Sequence, residues 1–237
     1  MIVAGTSGDF RPTTLGKRVK GNGGLGAVLF DMDGLLIDSE RLWLEVETEV
    51  MAWLGGSWGP EQQEHLVGGS LDSAVAYMLD LTGAAASPEE VGRRMLEGMA
   101  GRLETAVPMM PGAKDLLAEV RAAGVPAALV SSSHRRLIEP ALEAIGREHF
   151  VLSVAGDEVS RTKPDPEPYL TAARRLGLPP GRCVVLEDSP NGVAAAEAAG
   201  CVTVAVPCLL PIPPAPGRTV VESLHDIDLP RLRALVP

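Results

Sequence analysis

Two aspartates one residue apart, Asp31 and Asp33, follow a short apolar run and precede Gly34. The run, residues 27–30, has the composition of a buried parallel strand, and open α/β sheets bind their ligands at the carboxyl ends of such strands. Because side chains at i and i+2 of an extended segment point the same way, both carboxylates can share one cavity. Two carboxylates stay ionised so close together only with a cation, a hydrogen-bond donor or a shifted pKa. Asp-Gly is also a common turn dipeptide, so the pair alone leaves a plain strand-to-turn junction open.

Two later apolar runs also end in polar side chains. One leads to Ser131 and Ser132, the other leads to Glu187 and Asp188, and Lys163 lies in a loop between them. Carboxylates from two strands would supply the hard oxygen ligands of a Mg²⁺ site, which usually also takes a phosphate oxygen of the substrate. A serine hydroxyl and backbone N–H groups at a helix start suit phosphate oxygens, and the lysine adds one compact positive charge.

The elements around these residues predict an α/β fold. From residue 108 onward, helical and strand patterns alternate, which indicates a parallel sheet with right-handed crossovers. We expect a Rossmann-like doubly wound parallel sheet core, residues 25–38 and 108–237, with an inserted all-helical cap domain, residues 39–107. The proline-rich stretch 207–216 and the tail after it are expected to wrap the surface.

The inserted segment has apolar residues at helical spacing in three stretches, with no strand pattern between them. The third stretch begins at Ser87 and Pro88, which suit a helix cap and a first helical turn. The first stretch is expected to turn one apolar stripe inward, made of Leu42, Val46, Val50 and Trp53.

The first 24 residues are rich in glycine and polar residues, which predicts a flexible leader. They contain most of a match to the dinucleotide-binding glycine pattern, Gly21-Asn-Gly-Gly-Leu-Gly26. That mechanism needs the glycines between a strand and a helix, whereas here they precede the first strand. We therefore expect no dinucleotide site.

Composition excludes several classes of partner. The net charge of −10 opposes binding to nucleic acid and to anionic membranes. No apolar run approaches the roughly 18 residues of a membrane span, and the start of the chain lacks the layout of a signal peptide. The three cysteines have no metal-type spacing and are interpreted as reduced thiols, and the four histidines as surface or core residues. We expect a cytoplasmic monomer that binds a small phosphorylated metabolite.

Taken in order, four short motifs resemble the haloacid dehalogenase superfamily of phosphohydrolases. The likeness is to the branch with a helical cap after the first strand, close to β-phosphoglucomutase and phosphoglycolate phosphatase. It covers residues 25–206, and each motif alone is weak, whereas four in this order on α/β context are specific. The matching pieces are Asp31-Met-Asp33-Gly34, Val130-Ser131, Lys163-Pro164 and Glu187-Asp188-Ser189-Pro-Asn-Gly192.

The resemblance implies catalytic and metal-binding roles. Asp31 would be the nucleophile that forms an aspartyl phosphate. Asp33 would be the general acid for the leaving alkoxide and then the base that activates water. Mg²⁺ would be held by the Asp31 carboxylate, the Asp33 backbone carbonyl and Asp188. Glu187 would be either a further ligand or a residue that orients the site.

The resemblance also implies how the phosphoryl group is bound. Lys163 would bridge the phosphate and the Asp31 and Asp188 carboxylates and offset their mutual repulsion. Dehalogenase members of the superfamily lack the acid at the position of Asp33, so phosphoryl transfer is favoured. The groups that would bind the phosphoryl oxygens are the Ser131 hydroxyl and the backbone N–H groups of Met32, Gly34 and Ser132.

Three functions remain open at this point, and hydrolysis of a small phosphomonoester such as a sugar phosphate is favoured. A mutase of the β-phosphoglucomutase type needs a cap that holds a second phosphate. A rough alignment puts Trp43 and Leu71 where that mutase has a histidine and an arginine, although Arg41 or the pair Arg93 and Arg94 could substitute. A catalytically silent binding module would lack the nucleophile, the acid or the lysine, and all three are present.

Overall fold

The computed structural model describes residues 24–66, 69–105 and 107–237, so all of the predicted leader except Gly24, and residues 21–23 of the glycine pattern, lie outside the described residues. Within these ranges six strands form one parallel sheet in the order β3-β2-β1-β4-β5-β6. The strands are β1 (Ala27–Phe30), β2 (Ala127–Val130), β3 (Leu152–Val154), β4 (Cys183–Glu187), β5 (Val202–Ala205) and β6 (Arg218–Val220).

Helices cover both faces of the sheet. Alternate residues of the central strands enter different apolar clusters: Phe30 packs in one cluster with residues of α5, α6 and α9, and Leu29 packs in the other with residues of α7 and α8. This arrangement confirms the predicted doubly wound α/β fold. These core helices are α5 (Ala113–Ala122), α6 (Arg135–Ile145), α7 (Glu167–Leu176), α8 (Pro190–Ala198) and α9 (Leu229–Leu235).

The segment between β1 and α5 is helical in its described part, as expected for a cap. Its two connections to the core lie side by side, because Asp38 N donates to Pro108 O at 2.8 Å and Met110 N donates to Leu36 O at 2.9 Å. The boundaries of the cap domain remain a prediction. The cap helices are α1 (Glu40–Trp53), α2 (Pro60–Glu64), α3 (Leu71–Thr82) and α4 (Pro88–Thr105).

Two sequence-based expectations about packing are wrong. The tail does not merely wrap the surface: β6 extends the sheet, and Leu229 and Leu232 of α9 are buried in the core. Trp53 does not join the cap interior. Its side chain is 40% exposed, and the Arg94 guanidinium lies 4.0 Å from the ring centroid, so a cation–π contact replaces core packing. None of the helices within the described ranges is long and apolar enough to cross a bilayer.

Candidate active site

Three neighbouring strands deliver polar side chains to one edge of the sheet. The ladder pairs Phe30 of β1 with Leu129 of β2 and with Leu186 of β4, so the carboxyl ends of these strands are level. The next residues along the chain, beginning with Asp31 after β1, therefore project at the same edge. The polar residues brought together there, all buried, are Asp31, Ser131, Glu187 and Asp188.

Lys163 reaches this edge from the loop before α7 and is 4% exposed. Its ammonium donates to Glu187 Oε1 at 2.6 Å, to Val130 O at 2.9 Å and to Asp31 Oδ1. Desolvation lowers the pKa of Lys163, but the Asp31 and Glu187 carboxylates raise it by more than desolvation lowers it, so the net shift is upward. The lysine therefore stays protonated between two carboxylates. The second of these is Glu187 and not the expected Asp188, because Glu187 Oε1 lies within hydrogen-bond distance of the ammonium.

Glu187 is held through both of its carboxylate oxygens. Besides Lys163, Oε1 accepts from the Tyr169 hydroxyl at 2.6 Å. Oε2 accepts from the backbone N–H of Asp188 at 3.1 Å and from the N–H and hydroxyl of Ser189 at 3.3 and 3.2 Å. Gly192 packs directly on this side chain, since a Cβ there would lie 1.9 Å from the Glu187 carboxyl carbon. These contacts favour the orienting role of Glu187 over direct metal ligation.

The chemistry of the carboxylate group fits a divalent cation. Asp31, Glu187 and Asp188 each place one oxygen within 4.8 Å of the others. Burial raises the pKa of Asp31, an effect that Lys163 opposes, and burial followed by repulsion from Asp31 and Glu187 raises the pKa of Asp188. One ammonium faces three carboxylates, so a hard cation held by oxygen ligands would relieve the remaining repulsion.

Asp33 faces the same cavity and is surrounded by hydroxyl donors. Its Oδ1 accepts from Ser39 Oγ at 2.8 Å, and its Oδ2 accepts from Ser131 Oγ at 3.1 Å and Ser133 Oγ at 2.8 Å. Ser39 and Ser133 were not among the predicted site residues. Ser133 belongs to the Ser-Ser-Ser run after β2, which was a visible signal, whereas nothing in the local pattern marks Ser39.

The predicted phosphate-binding groups differ in whether they already have a hydrogen-bond partner in the protein. Among the described residues, the backbone N–H groups of Met32 and Ser132 have no hydrogen-bond acceptor, and the buried Ser132 hydroxyl has no partner. The Gly34 N–H instead donates to Ile37 O at 2.9 Å. Gly34 has φ of +82°, and a Cβ there would lie 2.3 Å from Asp188 Oδ2, so both the turn and the close approach require glycine.

The cavity lies between core and cap. We call its core side the core wall, formed by Asp31, Asp33, Ser131–Ser133, His134, Lys163 and Asp188. His134, expected to be an ordinary surface or core residue, lies in this wall: its Nε2 is 3.0 Å from Asp157 Oδ2, and its Nδ1 accepts from Arg136 N at 3.2 Å. We call the opposite side the cap wall. Its apolar set is Trp43, Leu66 and Leu71, and its polar set is Glu40, Glu47 and Gln63.

Sequence reasoning missed the polar set of the cap wall. Glu40 and Glu47 are two turns apart on α1, and Gln63 lies on the short helix α2. Burial raises the pKa of Glu40 to about 7, with repulsion from Asp33 adding to the effect, and burial also raises the pKa of Glu47 to about 7. Glutamates at turns of an otherwise amphipathic helix are ordinarily solvated, so no sequence signal set these two apart.

Comparison with known proteins places the chain among hydrolases. Residues 25–200 match the family model described as haloacid dehalogenase-like hydrolase. Hexitol phosphatase B from Escherichia coli (strain K12) is 34% identical over 187 residues, which cover 76% of this chain and 83% of that protein.

Solved structures share the fold. A variant of CbbY from Rhodobacter sphaeroides in complex with xylulose-(1,5)bisphosphate is 29% identical, with a TM-score of 0.80 over 88% of this chain and 99% of that chain. The β-phosphoglucomutase from Clostridium difficile is 20% identical, with a TM-score of 0.79 over 90% of this chain and 97% of that chain. The latter likeness concerns the fold alone.

Proposed function

The chain belongs to the haloacid dehalogenase-like hydrolases, and from this we propose that it is a Mg²⁺-dependent phosphatase of small phosphomonoesters such as sugar phosphates. One observation carries the proposal: Asp31, Asp33 and Lys163 face one cavity, with the Lys163 ammonium bonded to the Asp31 carboxylate. This set provides a nucleophile, an acid–base group and a fixed positive charge. Hexitol phosphatase B, a phosphatase by name, supports the reaction class.

The nucleophile would be Asp31. Its carboxylate oxygen attacks phosphorus, an Asp31–O–P bond forms, and the bond from phosphorus to the leaving alkoxide breaks. Asp33, as the general acid, would give a proton to that alkoxide. In the second half-reaction the Asp33 carboxylate would take a proton from water, the oxygen of that water would attack phosphorus, and the bond to Asp31 would break to release phosphate. The proton that Asp33 gave to the alkoxide is thereby replaced, and the Asp31 carboxylate is regenerated.

The surrounding groups would keep these two aspartates in their working states. The Lys163 ammonium favours the ionised form of Asp31, which burial otherwise disfavours. Asp31, Asp188 and the Asp33 backbone carbonyl would hold Mg²⁺. When bound, the ion would polarise a phosphoryl oxygen and offset the local negative charge. Ser131 and the N–H groups of Met32 and Ser132 would bind the phosphoryl oxygens.

The cap wall favours hydrolysis over mutase activity. Transfer to a second hydroxyl of a bound sugar phosphate needs a cationic site for the second phosphate. Trp43 and Leu71 line the cavity without charge, and Lys163 is its single lysine or arginine among the described residues. Arg93 and Arg94 do not line this cavity and are instead engaged with cap glutamates, Glu97 at 2.7 Å and Glu90 at 3.2 Å.

The test is phosphate release from a panel of phosphomonoesters with Mg²⁺, with EDTA, and with the variant Asp31→Asn. We expect release that requires Mg²⁺ and is lost in Asp31→Asn, while Asp115→Asn, at an exposed aspartate of α5, keeps wild-type activity. Conversion of β-glucose 1-phosphate to glucose 6-phosphate without net phosphate release would contradict hydrolysis. Activity that persists in Asp31→Asn would contradict the aspartyl phosphate.

A further inference from the structure

The cap wall contains a buried carboxylate with an open acceptor. Glu47 is 4% exposed, and its Oε2 accepts from the Trp58 indole N–H at 2.8 Å. No donor among the described residues reaches Oε1, although the side chain lines the cavity. The side chain lines the substrate cavity, so its open oxygen is suited to a donor from the ligand.

Gln63 presents a second acceptor of the same kind. It is 7% exposed, and its amide nitrogen donates to the Glu40 backbone carbonyl at 2.7 Å and to Glu40 Oε2 at 3.4 Å. Both partners are acceptors, which fixes the amide nitrogen toward Glu40 and leaves Oε1 as the free end. No donor among the described residues reaches this oxygen. We call Glu47 Oε1 and Gln63 Oε1 the cap acceptor pair.

The charges around the cap acceptor pair exclude a second phosphate. Among the described residues, the cavity combines one ammonium, that of Lys163, and the His134 imidazole, which pairs with Asp157, with the carboxyl groups of Glu40, Glu47 and three aspartates. Asp31 and Glu187 already bind that ammonium. A distal phosphate would therefore meet carboxylates without a cation of its own, and like charges at close range are strongly unfavourable.

We infer that Glu47, with Gln63, selects a leaving group that carries its own hydroxyl donors, which makes the substrate a monophosphate of an uncharged polyhydroxylated alcohol. The apolar set of the cap wall suits the carbon skeleton of such an alcohol, while the cap acceptor pair receives its hydroxyl hydrogens. This inference rests on the proposed function. It makes Glu47 a residue for substrate choice, with no part in the reaction at phosphorus.

The test compares three esters: sorbitol 6-phosphate, hexyl phosphate, which has a chain of equal length without hydroxyls, and p-nitrophenyl phosphate. We expect wild type to prefer sorbitol 6-phosphate over hexyl phosphate in kcat/KM. At pH 8, above the raised pKa of Glu47 of about 7, Glu47→Gln should raise KM for sorbitol 6-phosphate about tenfold, with kcat little changed, because a hydrogen bond to a charged acceptor is lost. KM for p-nitrophenyl phosphate should stay within about twofold, since that ester brings no donor.

Two further variants sharpen the result. Glu49→Gln is the matched control, because Glu49 lies on the same helix, is exposed, and pairs with Arg102 at 2.9 Å outside the cavity. It should leave all three esters unchanged. Trp58→Phe removes the donor that orients Glu47 while keeping a ring beside Tyr77. It should also raise KM selectively for sorbitol 6-phosphate, by less than Glu47→Gln.

The outcomes separate the inference from the function beneath it. Absence of Asp31-dependent release from every ester would overturn the proposed function and the inference together. If wild type releases phosphate from p-nitrophenyl phosphate in an Asp31-dependent way, an equal loss of kcat/KM for all three esters in Glu47→Gln would overturn the inference alone. Faster cleavage of a bisphosphate, or of phosphoethanolamine, than of sorbitol 6-phosphate would also overturn it, because the cap would then select charge and not hydroxyl groups.

Discussion

Asp31 and Asp33 of the core wall and the cap acceptor pair of the cap wall are hydrogen-bonded in opposite ways. On the core wall, Lys163 links Asp31 to Glu187, and Asp33 accepts from three serine hydroxyls. On the cap wall, Glu47 and Gln63 each keep one oxygen that no donor in the described part of the chain reaches. A network whose members satisfy one another holds its geometry before any substrate arrives, whereas open acceptors gain their partners only from a ligand.

This contrast separates chemistry from choice of substrate. The core wall would perform the same reaction on any phosphoryl group, because its carboxylates are bonded to residues of the protein and its proposed phosphate-binding donors would contact only the phosphoryl oxygens. The cap wall would decide which alcohol is attached. Variants of the core wall should therefore affect every ester alike, and variants of the cap wall should affect esters differently.

The largest effect is expected from Lys163→Met. This change leaves the Asp31 and Glu187 carboxylates buried without their cation, which we expect to lower kcat about 10²- to 10³-fold for every ester and to destabilise the fold by about 3–5 kcal/mol. Steady-state kinetics and thermal unfolding measure the two effects. Lys114→Met, at an exposed lysine of α5, is the control. A loss of kcat for one ester alone would contradict the assignment of catalysis to the core wall and substrate choice to the cap wall.

A smaller effect is expected from Glu187→Gln, which tests the orienting role of Glu187. Because both of its oxygens accept protein donors, the amide should disturb Lys163 and lower kcat about 10- to 100-fold. The Mg²⁺ concentration for half-maximal activity should change little. Asp188→Asn, at a proposed ligand, should raise that concentration strongly. Equal increases in the two variants, measured by Mg²⁺ titration of activity, would make Glu187 a direct ligand.

A few-fold effect is expected from Ser133→Ala. It removes one hydroxyl donor to Asp33 and should lower kcat about fivefold for an alkyl phosphate, whose leaving group needs the proton of the general acid. For p-nitrophenyl phosphate, whose leaving group departs as a stable anion, the change should be less than about twofold. The ratio of the two kcat values is the measurement. An equal loss for both esters would assign Ser133 to phosphate binding.

The smallest effect is expected in the pH dependence of stability. Burial raises the pKa of Glu47 from 4.5 to about 7, so between these pH values the unfolded chain has released a proton that the folded chain retains. Stability should fall as pH rises through this interval, and Glu47→Gln should abolish that part of the fall. The Tm difference between Glu47→Gln and wild type should therefore increase from pH 5 to pH 8. Each kcal/mol of unfolding free energy that wild type loses over this interval corresponds to roughly 2–4 °C of that increase.

Thermal unfolding of Glu49→Gln provides the reference for this measurement. Glu49 is exposed and ion-paired, so its Tm difference from wild type should not follow the same course with pH. A difference between Glu47→Gln and wild type that stays constant from pH 5 to pH 8 would mean that the cap wall is solvated, and would weaken the contrast between the walls.

Much of the fold could be predicted because its signals are local. The apolar runs before Asp31 and Ser131 are strands that end where expected, and the run before Glu187 is a strand that extends one residue further, through Glu187. The alternation of helix and strand indicated the parallel sheet. The tail could not be predicted in the same way. β6 is three residues long, follows a proline-rich stretch, and becomes a strand through pairing with β5, which is a tertiary contact.

Sequence by itself determined which residues stand at the reactive edge, because strand ends in a parallel sheet meet at one edge whatever the rest of the chain does. Tertiary structure decided what those residues contact. Ser39 comes to Asp33 through the turn into the cap, and Glu47 and Gln63 become one cavity wall because two cap helices pack together over the core. The physical reason is that periodicity reports which residues are withdrawn from water, but not whether they face a packed core or a cavity that awaits a ligand.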